Sequence, residues 1–139
     1  MFDDEEILHY ITFELYRKFQ SVRCEDYDRL TYIVTLPTYL TEYSRTFRIY
    51  IDGSDIQLCN SVIIPALKSC GAYENYAQYI AKVLDRFGVT VDGDNIYTSI
   101  SFSSAYIRIN DVVQATDNMC RALVALDALN VICGKDFCQ

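Results

Sequence analysis

Apolar residues recur along this chain with two different spacings, and the switches between them mark its elements. From Asp4 to about Val22, Ile7, Ile11, Leu15 and Phe19 fall every fourth residue and stack on one face of a helix. Its acidic start, with Arg17 and Lys18 towards its end, suits the helix dipole. The run Arg29 to Leu36 is rich in β-branched and aromatic residues and stops at Pro37, which predicts a strand. Thr38 to Ser44 reads as a connection. From Arg45 to Asp52, Phe47, Ile49 and Ile51 alternate with Arg48 and Tyr50, the pattern of a half-buried strand. Asp52-Gly53-Ser54-Asp55 then supplies a tight turn, and Ile56 to Cys59 returns antiparallel.

Helical spacing resumes at Ser61. Ser61 to Ser69 predicts a short helix that Ser61 caps, with Pro65 tolerated in the first turn and Gly71 after the end. Tyr76, Ile80, Val83, Leu84 and Phe87 predict an amphipathic helix over Glu74 to Phe87, closed by Gly88. Val89 to Val91, the turn Asp92-Gly93-Asp94-Asn95, and Ile96 to Phe102 form a second hairpin. Ile96, Ile100 and Phe102 point inward there, with Tyr97, Ser99 and Ser101 opposite. Asn110 opens a last helix that runs to about Leu129 on Val112, Val113, Met119, Leu123 and Leu126, and residues 134–139 follow as a flexible tail. Strands arriving in antiparallel pairs with helices between them predict an α+β fold. The expectation is one domain over residues 1–139. It has a single antiparallel sheet of about five strands, with an N-terminal helix, two central helices and a long C-terminal helix packed on it.

Composition narrows the setting. With 139 residues, half of them apolar, the chain has room for one core. Twelve basic against nineteen acidic residues give a net charge of −7, which disfavours direct binding to phosphate backbones, because that rests on Lys and Arg. The acidity serves solubility or forms a face that meets a basic surface on another protein. The N-terminus, Met1-Phe2-Asp3-Asp4-Glu5-Glu6, is acidic where a signal peptide is basic, and no run of apolar residues is long enough for a membrane helix. A cytoplasmic setting without membrane contact is therefore expected. The cysteines, at 24, 59, 70, 120, 133 and 138, include no CxxC pair and are read as reduced thiols, with Cys133 and Cys138 the most exposed.

Candidate chemistry is sparse. The single histidine, His9, has no serine or cysteine beside it in sequence and reads as an ordinary helix residue. Asp92-Gly93-Asp94 matches a calcium loop for three residues only and reads as a hairpin turn. Glycines stand singly, so no phosphate cradle is expected, and the paired carboxylates form no distinctive constellation. Neither cofactor nor metal is expected, nor is catalysis. Tyrosine stands out: there are twelve and no tryptophan. Tyr50 and Tyr97 fall opposite the apolar set, with Tyr39, Tyr43 and Tyr106 in connections. Tyrosines in such places build a binding surface, cover sheet edges and core margins, or stack on single-stranded bases, the last usually beside a basic groove.

A resemblance adds a setting. It is carried by Ile33-Val34-Thr35-Leu36-Pro37, Arg48-Ile49-Tyr50-Ile51, Ile56-Gln57-Leu58 and a short helix ending at Gly71. Val83-Leu84-Asp85-Arg86-Phe87-Gly88-Val89, Asp92-Gly93-Asp94-Asn95-Ile96-Tyr97 and the helix from Val112-Val113-Gln114-Ala115 to Leu126 continue it. From Tyr32 to about Leu129 the chain resembles domain-of-unknown-function family 1828, small proteins of bacterial phages and mobile elements. Where that family carries an acidic, glycine-containing turn after the return strand, this chain has Cys59-Asn60-Ser61. The resemblance implies no activity, only a setting of bacteria, phages and the conflict between them. The expectation is a non-catalytic protein that binds another protein, as an inhibitor or accessory factor acting on a bacterial defence complex such as a CRISPR nuclease. Tyr50, Asp52, Asp55, Asp92, Asp94 and Tyr97 are its candidate contacts. The alternative is a chaperone-like adaptor for a secreted or cognate partner, working as a homodimer.

Overall fold

Among the described residues, six strands form one antiparallel sheet in the order β1-β2-β3-β4-β6-β5. They are β1 (Ser21–Asp26), β2 (Thr31–Thr35), β3 (Thr46–Asp52), β4 (Asp55–Asn60), β5 (Thr90–Asp92) and β6 (Asn95–Ser101). The helices among the described residues are α1 (Ile63–Ser69), α2 (Ala72–Asn75), α3 (Ala77–Arg86) and α4 (Ile109–Phe137). This computed structural model describes residues 21–26, 31–35, 41–53, 55–101 and 109–137. No helix among them is long and apolar enough to cross a membrane.

Alternation along the strands decides which face the helices cover. Ile49 stands opposite Leu58 and Ile51 opposite Ile56, while Ile56 faces Ile100 and Asn60 faces Ile96 across the next pair. Val34, Phe47, Ile49, Ile56, Leu58 and Ile96 are buried in one cluster with Ile63, Ile64, Leu67, Ile80, Val83 and Leu84 from α1 and α3. Val112, Met119, Leu123 and Leu126 of α4 complete it. Alternate residues of β2, β3, β4 and β6 enter this core, so the described helices lie on one side, and the intervening residues form a second face, open in the sense that no described helix covers it. The α1–α3 run crosses over between β4 and β5. It carries β5 to the far edge, so β6 returns into the slot beside β4.

Both hairpins follow their turn chemistry. Asp52 pairs with Asp55 around Gly53 at φ 63°, and Asp92 pairs with Asn95 around Gly93 at φ 60°. A glycine at this place reaches positive φ without a Cβ clash.

Several expectations are corrected. The helix expected over 4–22 lies outside the described residues except for Ser21 and Val22, which open β1 instead. The single helix expected over Glu74 to Phe87 is two, α2 and α3, broken at Tyr76 (φ −119°, ψ 29°). Tyr76 consequently leaves the apolar stripe and is 39% exposed, whereas Ile80, Val83 and Leu84 are buried. The last helix does not stop near Leu129 before a tail but runs through Gly134 to Phe137. Leu129 and Cys133 are both buried, and that packing outweighs the roughly 1 kcal/mol that a glycine costs inside a helix.

The start of α1 is also capped differently from expectation. Asn60, not Ser61, does this work: its Oδ1 accepts from Val62 N at 3.0 Å and Ile63 N at 2.9 Å. Its Nδ2 donates to the carbonyls of Tyr43 (3.1 Å) and Thr46 (2.9 Å). Asn60 is buried at the end of β4, and only a side chain with both donors and acceptors satisfies those four groups.

Candidate functional site

The open face of the sheet gathers most of the polar and aromatic residues that alternation sets against the core. Arg48, Cys59 and Tyr97 form one cross-strand row, continued by Thr90 on β5. Tyr50, Gln57 and Ser99 form the next, and Asp52, Asp55 and Ser101 the third. The Ser101 hydroxyl donates to Asp55 Oδ1 at 3.0 Å, which fixes that carboxylate at the hairpin end. Ile33 lies opposite Arg48 in the neighbouring strand and is buried outside the main core cluster.

The sequence-derived contacts divide on this frame. Tyr50, Asp52, Asp55 and Tyr97 share the open face, with Tyr50 and Tyr97 half-buried on either side of β4. Asp92, opposite Asn95, belongs to the same face but at the other end of β6. That places it about 20 Å from the Asp52–Asp55 turn, by the rise along the strand from Asn95 to Ser101. Asp94 turns towards the helices instead: its carboxylate meets Lys68 Nζ of α1 at 3.1 Å. Both partners are largely exposed, so this ion pair adds little to stability. The four aspartates are therefore two separate turns, not one acidic patch. Tyr43 lies on a 3-10 turn, Glu42–Ser44, away from this face, and Tyr39 and Tyr106 lie outside the described residues.

Three further residues complete the surface between the tyrosines: Arg48, Gln57 and Cys59. Their signal in the sequence was parity, since each stands one position from a buried residue of its own strand. Burial pushes the Cys59 thiol above its ordinary value, and the nearby Arg48 guanidinium offsets part of that rise. Burial also raises the Tyr50 phenol, helped by the charges that Cys59 and Asp52 carry when ionised. Both groups are neutral at physiological pH, so the surface carries its charge on Arg48 and the aspartates.

A prediction for alkaline pH follows from these two groups. Each has a folded value above its unfolded one, so each contributes stability that is complete below the unfolded value and is lost as pH rises through the folded value. The window opens at about 9.0 for Cys59 and about 10.0 for Tyr50. Denaturant titrations at stepped pH are expected to show a smaller alkaline loss in Cys59→Ser than in the native chain, with the difference appearing first near pH 9. Parallel curves for the two proteins across that window would remove Cys59 from the account.

A groove of about 530 Å³ lies on the helical side, between the 3-10 turn, α1 and α4. Tyr43, Val62, Pro65, Ala66, Cys70 and Asn130 line it, without a charged side chain. Cys133, expected among the exposed thiols, is instead buried at the C-terminal side of this region, only 7% exposed. His9 and Cys138 lie outside the described residues. Among the described residues no three His, Cys, Asp or Glu side chains cluster as metal ligands. Neither a protein-family model, a curated protein nor a solved structure matches this chain.

Proposed function

We propose that this chain is a non-catalytic binding protein that presents the open face of its sheet to a basic surface on another protein. The observation that carries this reading is the register: β3, β4 and β6 bring Tyr50, Asp52, Asp55 and Tyr97 onto one face. Two half-buried tyrosines offer wide contact area at small entropic cost, because the sheet already restricts them. The Asp52–Asp55 turn supplies negative charge at one border of that surface, and a net charge of −7 steers a basic partner towards it. The resemblance to family 1828 supports a phage or mobile-element setting. In that setting the chain acts as an inhibitor or accessory factor, and a basic nucleic-acid groove of a host defence nuclease complex has the matching charge.

The test compares two charge reversals, because the two acidic turns stand at opposite ends of the sheet. Affinity capture from bacterial lysate with the native chain identifies the partner, and titration with that purified partner measures each variant. The reading expects Asp52→Lys with Asp55→Lys to weaken binding by about tenfold or more. Asp92→Lys with Asp94→Lys should have a smaller effect, since Asp94 faces Lys68 rather than the open face. Unchanged affinity in the first variant and in Tyr50→Ala would place the contact elsewhere.

The second reading, a dimeric adaptor, draws on a different observation. Tyr43, Val62 and Ile132 are large apolar residues left 37%, 45% and 48% exposed on the helical side. Sedimentation at micromolar concentration separates the two: a stable dimer that Val62→Asp dissociates favours the adaptor, and a monomer favours the sheet-face reading.

A further inference from the structure

The C-terminal end of α1 meets α4 through two cysteines that the proposed binding surface does not use. Cys70 terminates α1, with its Sγ 3.5 Å from the Leu67 carbonyl oxygen and 3.7 Å from Asn130 Oδ1 of α4. Cys133 follows Asn130 by one helical turn, so both project from the same side of α4. Its thiol donates to the carbonyl oxygen of Cys70 at 2.5 Å. That oxygen is itself about 2.4 Å from the Cys70 α-carbon by standard backbone geometry. The Cys133 sulfur therefore lies within about 5 Å of the Cys70 α-carbon, close to the reach of a disulfide between the two helices. Neither cysteine is in a disulfide in this structure. Their access differs: Cys70 is half-buried and lines the groove, whereas Cys133 lies behind it, buried.

We infer that Cys70 and Cys133 form a redox pair in which a peroxide, reaching Cys70 through the groove, drives closure of a disulfide between α1 and α4. The Cys70 sulfur attacks one peroxide oxygen and the O–O bond breaks, giving a sulfenic acid on Cys70, while the thiol proton passes to the departing oxygen, which leaves as an alcohol or water. The Cys133 sulfur then attacks the Cys70 sulfur. The S–O bond breaks, and the departing hydroxyl leaves as water with the Cys133 proton. The two sulfurs together lose two electrons and the peroxide gains them. The bond joins residues 63 positions apart, and so constrains the unfolded chain strongly. It also draws the Cys70 sulfur out of the groove wall towards α4, changing the groove that Tyr43 and Val62 flank. This inference is independent of the sheet-face reading, which uses neither cysteine.

The experiment treats the full chain with hydrogen peroxide, blocks remaining thiols with N-ethylmaleimide, and maps the unreduced peptides by mass spectrometry. The expected product is a linked pair containing Cys70 and Cys133. It should be accompanied by a rise in Tm of about 10 °C that dithiothreitol reverses. Cys70→Ser, at the half-buried and more tolerant position, should lose both the linked peptide and the rise. Linkage of either residue to another cysteine, such as Cys133 to Cys138, would overturn the inference. So would alkylation of both residues after peroxide treatment, or an equal rise in Tm in Cys70→Ser.

Discussion

Replacing Asp127 with leucine is expected to lower the stability of the fold by about 3–4 kcal/mol, among the largest effects available to a single side chain here. Asp127 is fully buried on α4, within an otherwise apolar stretch of that helix. Its Oδ2 accepts from Thr41 N at 2.6 Å and from Ser44 Oγ at 2.6 Å, and its Oδ1 accepts from Thr41 Oγ1 at 2.5 Å. Hydrogen bonds to a charged acceptor contribute about 1.5–3 kcal/mol each, and the donors left behind add a desolvation cost when buried. Ser44 is itself fully buried, so its hydroxyl has no direct access to water. Leucine fills the space and meets none of these donors. Asparagine is the informative control. Its oxygen still accepts from Thr41 N, and its amide nitrogen donates to the Thr41 hydroxyl, so a loss nearer 1–2 kcal/mol is expected. Urea unfolding measures both variants. A leucine variant within 1 kcal/mol of the native chain would show that the clamp contributes little, and an asparagine variant as poor as leucine would shift the weight from hydrogen bonding to charge.

What Asp127 grips explains why that loss would reach the open face. The 3-10 turn it holds leads directly into β3, which carries Arg48, Tyr50 and Asp52. Thr41 caps that turn, accepting from Tyr43 N at 3.2 Å while its hydroxyl donates to Asp127. A loosened entry to β3 weakens the strand pairing that holds Tyr50 on the open face and Ile49 in the core. The clamp therefore links stability to the arrangement of the candidate contacts. Partner affinity should fall in the leucine variant even though Asp127 touches none of those contacts.

How much of this was legible in the sequence depends on whether a residue's role is local. The two hairpins were, because Gly53 and Gly93 sit between alternating runs, and the turn needs positive φ at those places. The parity that sends Tyr50 and Tyr97 to one side was equally visible. The neighbourhood of Tyr97 was not: nothing local says that β6 inserts beside β4 and leaves β5 at the edge, yet that crossover puts Tyr97 opposite Cys59. The same topology sends Asp92 and Asp94 to the end of the sheet away from Asp52 and Asp55, which a reading along the chain joined as one acidic set. Strand β1 escaped because Ser21-Val22-Arg23-Cys24-Glu25-Asp26 has a single β-branched residue and no apolar alternation. Its existence rests on pairing with β2, through a register shift between Cys24 and Asp26. The end of α4 escaped for the opposite reason: Gly134 is a strong local stop signal that buried Leu129 and Cys133 override. An aspartate inside the apolar pattern of the last helix was a visible anomaly. Its partners, more than 80 residues away in sequence, were not.

The second large effect is expected at Asn60, where a change of one atom type should be as damaging as the loss of a whole side chain. In Asn60→Asp, Oδ1 still caps α1 by accepting from Val62 N and Ile63 N. The group that replaces Nδ2 is now an acceptor facing the carbonyl oxygens of Tyr43 and Thr46, so attraction on two sides becomes repulsion. Asn60 is 2% exposed, which denies water the chance to screen that clash. A loss of about 3 kcal/mol or more is expected for Asn60→Asp at neutral pH, against about 2–3 kcal/mol for Asn60→Ala. The sign of the pH dependence separates the two. Its neighbours favour the protonated form of the introduced carboxyl, so its folded value lies above the unfolded one and its stability deficit shrinks as pH falls towards the carboxylate range. Asn60→Ala has no such group, and its deficit should stay constant over the same range. Thermal melts of both variants between about pH 7 and pH 4.5, each referenced to the native chain, read out the comparison. Recovery in the aspartate variant alone would establish that the junction of β4, α1 and the 3-10 turn depends on the amide's two donors. A small, pH-independent loss in the aspartate variant beside a large one in Asn60→Ala would mean that the cap on α1 is the part that matters, with the contacts to Tyr43 and Thr46 replaceable.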